Sequence, residues 1–307
     1  MAETLRCGVI GAGVFGGYHA RQSAQLAGVT LSGVFDTHPD RAAHVAMPLG
    51  GRAFSDLAAF LDAVDVITIA SPASFHAEQA LAAIAAGKHV YVEKPIAVSV
   101  ADAERMRAAA AAKGVVLACG HQERVVFQAM GLLDAPERPL LLEAQRHGPP
   151  SPRSQDVSAV LDLMIHDIDL VLAIAGADPV TAEGEGVLGP NGVWDQARAE
   201  ITFENGLTAI LDVSRLAPER RRTMRIVYPS GEVEVDFVAR SFRNTTAFAL
   251  NADFADTPVG RDPLGASLAG FLAAVRGEAS RPIVTADEAI AALDLALAVE
   301  QALEDAA

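Results

Sequence analysis

Leu5-Arg6-Cys7-Gly8-Val9-Ile10-Gly11-Ala12-Gly13-Val14-Phe15-Gly16 is the stretch that decides the fold. Leu5 to Ile10 is a short apolar run ended by glycine, which reads as a strand. Val14 to Ala27 follows as a helix. Between them the spacing G-x-G-x-x-G forms a phosphate cradle. Gly11 permits a tight turn, Gly13 lets a pyrophosphate approach the backbone, and Gly16 lets helix and strand pack closely. The first N–H groups of the helix and the positive end of its dipole face the anion. Gly11, Gly13, Val14, Phe15 and Gly16 are therefore the expected phosphate contacts, although the spacing alone also fits a plain turn.

Asp36 supplies the missing context. It ends the next strand, Val29 to Phe35, and stands twenty residues beyond Gly16. A carboxylate there accepts hydrogen bonds from the adenosine ribose hydroxyls and repels a 2′-phosphate, which favours NAD over NADP. The alternative is an Asp that caps a helix before Pro39. Arg41 is a nearby cation that can tolerate a phosphate, and it joins the expected cofactor contacts.

Downstream, strands and helices keep alternating. Val64 to Ala70, His89 to Val92 and Val115 to Ala118 read as strands. Helices are expected over Ser55 to Leu61 with Ser55 as N-cap, Ser74 to Ala86 closed by Gly87, and Ser99 to Lys113 stopped by Gly114. Such alternation means a parallel sheet covered on both faces. After about residue 120 the pattern changes. One strong helix, Val157 to Ala175, is followed by hairpin signals. Trp194–Phe203 and Leu207–Arg215 flank Asn205-Gly206; Met224–Tyr228 and Glu232–Phe237 flank Pro229-Ser230-Gly231. Two helices, Pro263 to Val275 and Thr285 to Glu304, close the chain. The fold class is α/β: an N-terminal Rossmann domain over 1–120, then an α+β domain over 121–307 with a large, mainly antiparallel sheet. The second domain is expected to bind substrate and to oligomerise, and helix 285–304 could pack back on the first. Pro136 to Pro152, rich in proline and arginine, reads as a shaped loop beside the junction.

Composition narrows the partners. With 307 residues, 51% hydrophobic and 21% charged, the chain is globular and large enough for two cores. A net charge of −15 repels nucleic acid and anionic membrane surfaces. The beginning does not resemble a signal peptide, and no apolar run approaches the roughly 18 residues that span a bilayer. Cys7 and Cys119 each lie in an apolar run, so two buried free thiols in a reducing, cytoplasmic setting are expected. An antiparallel sheet with one helix-covered face needs its other face covered, which implies a homodimer or homotetramer.

Two segments carry the chemistry. Glu93-Lys94-Pro95 directly follows the strand His89–Val92, so it lies at the carboxyl edge of the sheet, where ligands bind. Ser71-Pro72 and His76 follow Val64–Ala70 and share that edge. For Lys94 the alternative is an exposed Lys-Pro turn, and for His76 a helix-start histidine with no ligand. The second segment is Asp162-Leu-Met-Ile-His166-Asp-Ile-Asp169. Asp162 and His166 are four apart on one helical face, beside an apolar stripe of Leu161, Ile165, Ile168 and Leu172. The alternatives are a surface pair of little consequence or a metal site; no third ligand at a supportive spacing is evident, and no metal is expected. Arg124, Arg146 and Arg153 near the junction suit a phosphate-bearing substrate, or else pair with acids such as Glu123, Glu143 and Asp156. Arg220, Arg221 and Arg222 read as a solvated strand start.

These motifs together resemble the Gfo/Idh/MocA family, the glucose-fructose oxidoreductase and inositol dehydrogenase-like enzymes. GVIGAGVFGGYHA, SPASFHAEQALAAIAAGKHVYVEKPIA and LDLMIHDIDL follow the family pattern in order, nearly end to end. GHQERVVFQAM with RHGPPSPRSQDVSAVLDLMIHDIDL is similar to members that oxidise the 3-hydroxyl of UDP-N-acetylglucosamine; those read ERFNP where this chain has Glu123-Arg124-Val125-Val126-Phe127. The resemblance implies a catalytic set of Lys94, Asp162 and His166, an NAD cofactor, and a sugar, nucleotide-sugar or cyclitol substrate. It also implies cofactor contacts from Ser71, Pro72, His76, Glu93 and Lys94. An imidazole with a pKa of about 6.5 can take the hydroxyl proton at neutral pH, making His166 the general base. Lys94 would stabilise the developing alkoxide, and Asp162 would orient Lys94 or His166. Lys94 as the base is the alternative assignment. Two further readings use the same fold: a glycosidase acting by transient oxidation on NAD, and a non-catalytic NAD-binding sensor.

Overall fold

The computed structural model describes residues 4–151 and 156–307. The chain divides into two compact units, 1–122 with 262–290, and 123–261 with 291–307.

The first unit is a doubly wound sheet. Its elements are β1 (Leu5–Ile10), α1 (Val14–Gln25), β2 (Val29–Phe35), α2 (Pro39–Ala46), β3 (Arg52–Phe54), α3 (Leu57–Asp62), β4 (Val66–Ile69), α4 (His76–Ala85), β5 (His89–Val92), α5 (Val100–Lys113) and β6 (Leu117–Cys119). Six strands run parallel in the order β3-β2-β1-β4-β5-β6. Most of β1, β4 and β5 is buried, as a sheet covered on both faces requires. α5 is bounded by its own sequence: the Ser99 hydroxyl accepts from the Asp102 N–H, and Gly114 ends the helix in the left-handed region at φ +65.

Three local expectations need correction. α3 starts at Leu57 and is capped by Asp56, whose Oδ1 accepts from the Ala59 N–H at 2.7 Å; Ser55 stands one residue too early to reach that amide. α2 and β3 fill a stretch that carried no signal, because α2 buries only Ala42 and Ala46 and β3 is a three-residue edge strand. Pro263–Val275 belongs to the first unit rather than the second. This helix brings Leu268, Phe271 and Leu272 into a cluster with Cys7, Val29, Val66 and Tyr91. Ser267 pairs with the Tyr91 hydroxyl at 2.9 Å. An apolar face reveals that it must be buried, but not against which sheet. Cys7 and Cys119 are buried thiols not joined in a disulfide, as expected.

The second unit contains α6 (Glu123–Met130), β7 (Leu141–His147), a π-helical turn over Val160–Met164 that runs into α7 (Ile165–Ala175), β8 (Pro179–Leu188), β9 (Trp194–Phe203), β10 (Thr208–Ser214), β11 (Arg221–Tyr228), β12 (Gly231–Asp236), β13 (Ser241–Asn244) and α8 (Pro258–Arg261). The helix Pro263–Val275 is α9. α10 (Ala286–Ala306) starts in the first unit and ends in the second. Seven strands form a sheet in the order β13-β12-β11-β7-β10-β9-β8, antiparallel except for the β7–β10 pair. The β9–β10 hairpin turns at Asn205-Gly206, where Gly206 has φ +85.

The central strand β7 overturns the reading of 136–152 as a loop. Residues 141–147 alternate in burial, with Leu142, Ala144 and Arg146 inward. An arginine at a core position breaks the apolar alternation that marks a strand, so the pattern is invisible without its ion-pair partners.

Candidate functional site

Register builds the carboxyl edge of the first unit's sheet. Ile10 pairs with Phe35 and with Ile69, and Ile69 pairs with Val92. The residues that follow these four strand ends, Gly11, Asp36, Ala70-Ser71 and Glu93-Lys94, therefore share the carboxyl edge of the parallel sheet. The three glycines of the loop have different reasons. Gly11 has φ +97, and a Cβ there would lie 2.8 Å from the backbone of Ala70 and Ser71. A Cβ at Gly16 would overlap the Gly11 carbonyl oxygen. A Cβ at Gly13 would meet no protein atom within 4 Å, and its φ of −76 suits any residue. Nothing inside the protein demands glycine at 13; the demand comes from space outside the backbone, as a cradle for a bound pyrophosphate requires. α1 begins there with no side-chain cap and no acid in its first turn, so its N–H groups suit an anion. Val14 and Phe15 are exposed on that turn.

Asp36 is half-buried and ties the loop to β2. Its Oδ2 accepts from the Ala12 N–H and its Oδ1 from the His38 N–H, each at 2.8 Å. Each oxygen keeps a second lone pair for a ribose hydroxyl. Arg41 stands exposed in the first turn of α2. The glycine cradle and this carboxylate fit NAD.

Ser71 is half-buried and donates from its hydroxyl to Gln79 Oε1 at 2.6 Å, while Pro72 is exposed. His76 is buried, with Nδ1 2.8 Å from the Pro95 carbonyl oxygen and Nε2 3.0 Å from that of Ser71. Both ring nitrogens face backbone carbonyls, so His76 braces the turn after β4 against the turn after β5. Glu93 is buried, and its Oε1 lies 2.6 Å from His19 Nε2 and accepts from Gln122 Nε2 at 3.1 Å. Burial opposes its ionisation, but the His19 hydrogen bond and the charges of His19, Lys94 and His76 hold its carboxyl below the usual range. Glu93 thus anchors the backbone that presents Lys94 from the inside. Lys94 is half-buried, and its peptide bond to Pro95 is cis.

In the other unit, polar side chains gather around α7. His166 is 15% exposed at its side chain, with Nδ1 2.6 Å from Glu123 Oε2. The other oxygen, Oε1, accepts from Arg146 Nη1 at 3.0 Å. Arg146 is buried and forms a bidentate pair with Asp167, 3.0 Å from Nε and 2.7 Å from Nη2. Arg222 lies directly across the strand pair from Arg146. Burial, then the like charges of Arg146 and Arg220, lower the Arg222 pKa to about 10. Burial also works against the Glu123 carboxylate, yet His166, Arg146 and Arg222 hold its pKa well below the ordinary value. The carboxylate at Nδ1 of His166 is thus Glu123, on α6. Asp162 lies in the π-helical turn with Oδ2 3.6 Å from Arg215 Nη2.

Two of the arginines expected at a substrate phosphate are occupied by acids. Arg124 holds Asp169 through Nε at 3.0 Å and Nη2 at 2.6 Å, and both residues are buried. Arg146 holds Asp167 and Glu123. Pairing with acids was the alternative reading, and Glu123 was one of the acids named; Glu143 instead pairs with Arg225 at 2.7 Å. Arg153 lies outside the described residues. Sequence reasoning assigned no role to His19, Asp167 or Asp169, and named Glu123 only as a partner for an arginine. The available signal was two acids, Asp167 and Asp169, within a helix that is otherwise apolar: buried acids demand buried cations. Among the described residues no group of three or more His, Cys, Asp or Glu is placed to hold a metal, and no helix is long and apolar enough to cross a membrane.

A glycine-rich cradle at the carboxyl edge of a doubly wound parallel sheet defines a dinucleotide-binding protein. Comparison with known proteins agrees. The family described as an oxidoreductase family with an NAD-binding Rossmann fold matches residues 5–121, and the GFO/IDH/MocA C-terminal domain matches 141–234. UDP-N-acetylglucosamine 3-dehydrogenase of Acidithiobacillus ferrooxidans is 36% identical, covering 98% of this chain and 99% of that protein. Its crystal structure superposes with a TM-score of 0.88, 99% of each chain being covered. Myo-inositol 2-dehydrogenase of Thermotoga maritima is 29% identical over 69% of each chain. The WlbA dehydrogenase of Bordetella pertussis, solved with NADH and UDP-GlcNAcA, shares the fold at 21% identity, with a TM-score of 0.89 and coverage of 100% of this chain and 97% of that one. The chain belongs to the GFO/IDH/MocA family of oxidoreductases, and its cofactor is NAD.

Proposed function

We propose that this enzyme oxidises a secondary hydroxyl of a nucleotide sugar, with a UDP-N-acetylhexosamine as the substrate class. One observation carries the choice among family substrates. The similarity to the UDP-N-acetylglucosamine enzyme spans both units at 36% identity, while that to the myo-inositol enzyme covers 69% of the chain at 29%. The Gly11–Gly16 loop and Asp36 hold the cofactor. Bound NAD supplies the acceptor for the hydride that leaves the carbinol carbon. His166 takes the hydroxyl proton, a role suited to an imidazole near neutral pH. Lys94 stabilises negative charge on the oxygen as it develops, and Asp162, one turn before His166, completes the set. A homodimer or homotetramer formed through the second unit's sheet, in a cytoplasmic setting, belongs to the same proposal; light scattering of the purified protein checks the assembly.

The test is a panel of UDP-sugars, sugar phosphates, free sugars and inositols with NAD, followed by NADH absorbance. UDP-N-acetylhexosamines should give the highest kcat/KM. His166→Ala and Lys94→Ala should each lower kcat by about 10²-fold or more. Near-normal turnover in both variants would overturn the catalytic assignment, and a faster inositol would overturn the substrate class.

A further inference from the structure

Arg146 already has a complete partner in Asp167, which meets it through two parallel hydrogen bonds. A second carboxylate beside it, Glu123, is not required to neutralise the guanidinium. Taking that carboxylate out of water is unfavourable unless both its oxygens are engaged. They are engaged in opposite directions: Oε1 by Arg146, at 3.0 Å, and Oε2 by His166 Nδ1, at 2.6 Å. Arg146 is held rigidly in a central strand, so it fixes where Glu123 points, and Glu123 fixes one nitrogen of His166.

We propose that Glu123 is a positioning residue that keeps His166 as the Nδ1–H tautomer, leaving Nε2 as the nitrogen that exchanges the substrate's hydroxyl proton. A carboxylate has no proton to give, so of two groups 2.6 Å apart only the imidazole can donate and only Glu123 can accept. The lone pair of the neutral ring is thereby confined to Nε2. When the hydroxyl proton moves to Nε2, the imidazolium charge forms against a fixed negative charge that needs no rearrangement. The charged groups of this network are Glu123 on α6, Arg146 on β7, Arg222 on β11, and Asp162 and Asp167 flanking His166 in sequence. Glu123 stands at ion-pair distance from the ring, 2.6 Å from Nδ1. Because Glu123 stays ionised through the neutral range, it raises the proton affinity of His166. This inference rests on the assignment of His166 as the acid-base group, and part of its test does not require turnover.

The first measurement is nitrogen NMR of the full-length, histidine-labelled protein, with the His166 signals identified by their loss in His166→Asn. Above its titration, His166 should carry its proton on Nδ1, and its midpoint should fall by about one pH unit in Glu123→Gln. The second is the pH dependence of kcat/KM on the preferred sugar. In Glu123→Gln the acid limb should move down by about the same amount and kcat should fall about 10- to 100-fold, with KM for NAD unchanged. Glu123→Asp should restore the limb but not the full rate, because the charge returns with a shorter reach. A proton on Nε2 in the wild type, equal midpoints in wild type and Glu123→Gln, or unchanged kcat overturns the inference. If Glu123→Gln does not fold, the wild-type tautomer and Glu123→Asp still decide it. An absence of turnover on every sugar overturns the substrate reading, while the tautomer measurement continues to judge Glu123.

Discussion

Replacing Gly13 by alanine separates the demands of the cofactor from those of the fold. The new methyl group would find no protein atom within 4 Å, and the backbone at φ −76 accommodates alanine. Loss of glycine also restricts the unfolded chain, so the unliganded protein should be unchanged or stabilised by up to about 1 kcal/mol. The bound pyrophosphate loses its closest approach to the loop. Forcing one methyl group into a filled contact costs about 1–3 kcal/mol, which weakens NAD binding about 5- to 150-fold. Gly16→Ala is the contrasting variant, since its Cβ would overlap the Gly11 carbonyl oxygen and the loop must shift. Calorimetric titration with NADH and thermal melting of both variants provide the assay. Gly13→Ala should melt at or slightly above the wild-type temperature with a raised Kd, and Gly16→Ala should melt lower. A wild-type Kd in Gly13→Ala, or a melting loss equal to that of Gly16→Ala, would refute the assignment of the open space to the cofactor.

Three further outcomes follow from named contacts. Asp36→Asn keeps one of the two backbone hydrogen bonds on its remaining oxygen, gives up the other to an amide that can only donate, and removes the charge that repels a 2′-phosphate. The preference for NAD over NADP should fall about tenfold or more in steady-state kinetics, and an unchanged ratio would exclude the ribose contact. Asp169→Ala strands the buried Arg124 guanidinium without its bidentate partner. It should cost about 3–5 kcal/mol in urea unfolding, and a loss below about 1 kcal/mol would show that Arg124 finds another anion. Glu93 has a lowered pKa in the folded protein, so its contribution is present above the unfolded value of about 4.3 and is lost as pH falls through the folded one. The urea midpoint should hold steady from neutral pH to about 5 and drop below that. Glu93→Gln should flatten the drop, and an identical acid dependence in the variant would argue against it.

The parallel half was legible because its signals are local. β1, β2 and β5 coincide with the expected strands, and Ser99 and Gly114 bound α5 as capping chemistry requires. The β9–β10 hairpin was equally plain from Asn205-Gly206, since a two-residue turn with positive φ leaves few alternatives. α2 and β3 were not legible, because neither carries a burial stripe.

Along a single chain, apolar period, glycine placement and caps are enough to determine strands, helices and the nucleotide loop, because each depends on residues within a few positions of one another. The glycine loop is local in the same way, which is why its G-x-G-x-x-G spacing could be read directly as a place for phosphates. Only the tertiary structure decided that α9 returns to the first sheet, that Arg146 stands in a central strand, and that Glu123 meets His166. Those outcomes rest on partners 21 to 176 residues apart, Arg146 with Asp167 at one extreme and Tyr91 with Ser267 at the other. A buried charge looks like a surface charge until its counter-charge is in place. Its burial is favourable only as a pair, and the pairing exists only once the chain has folded.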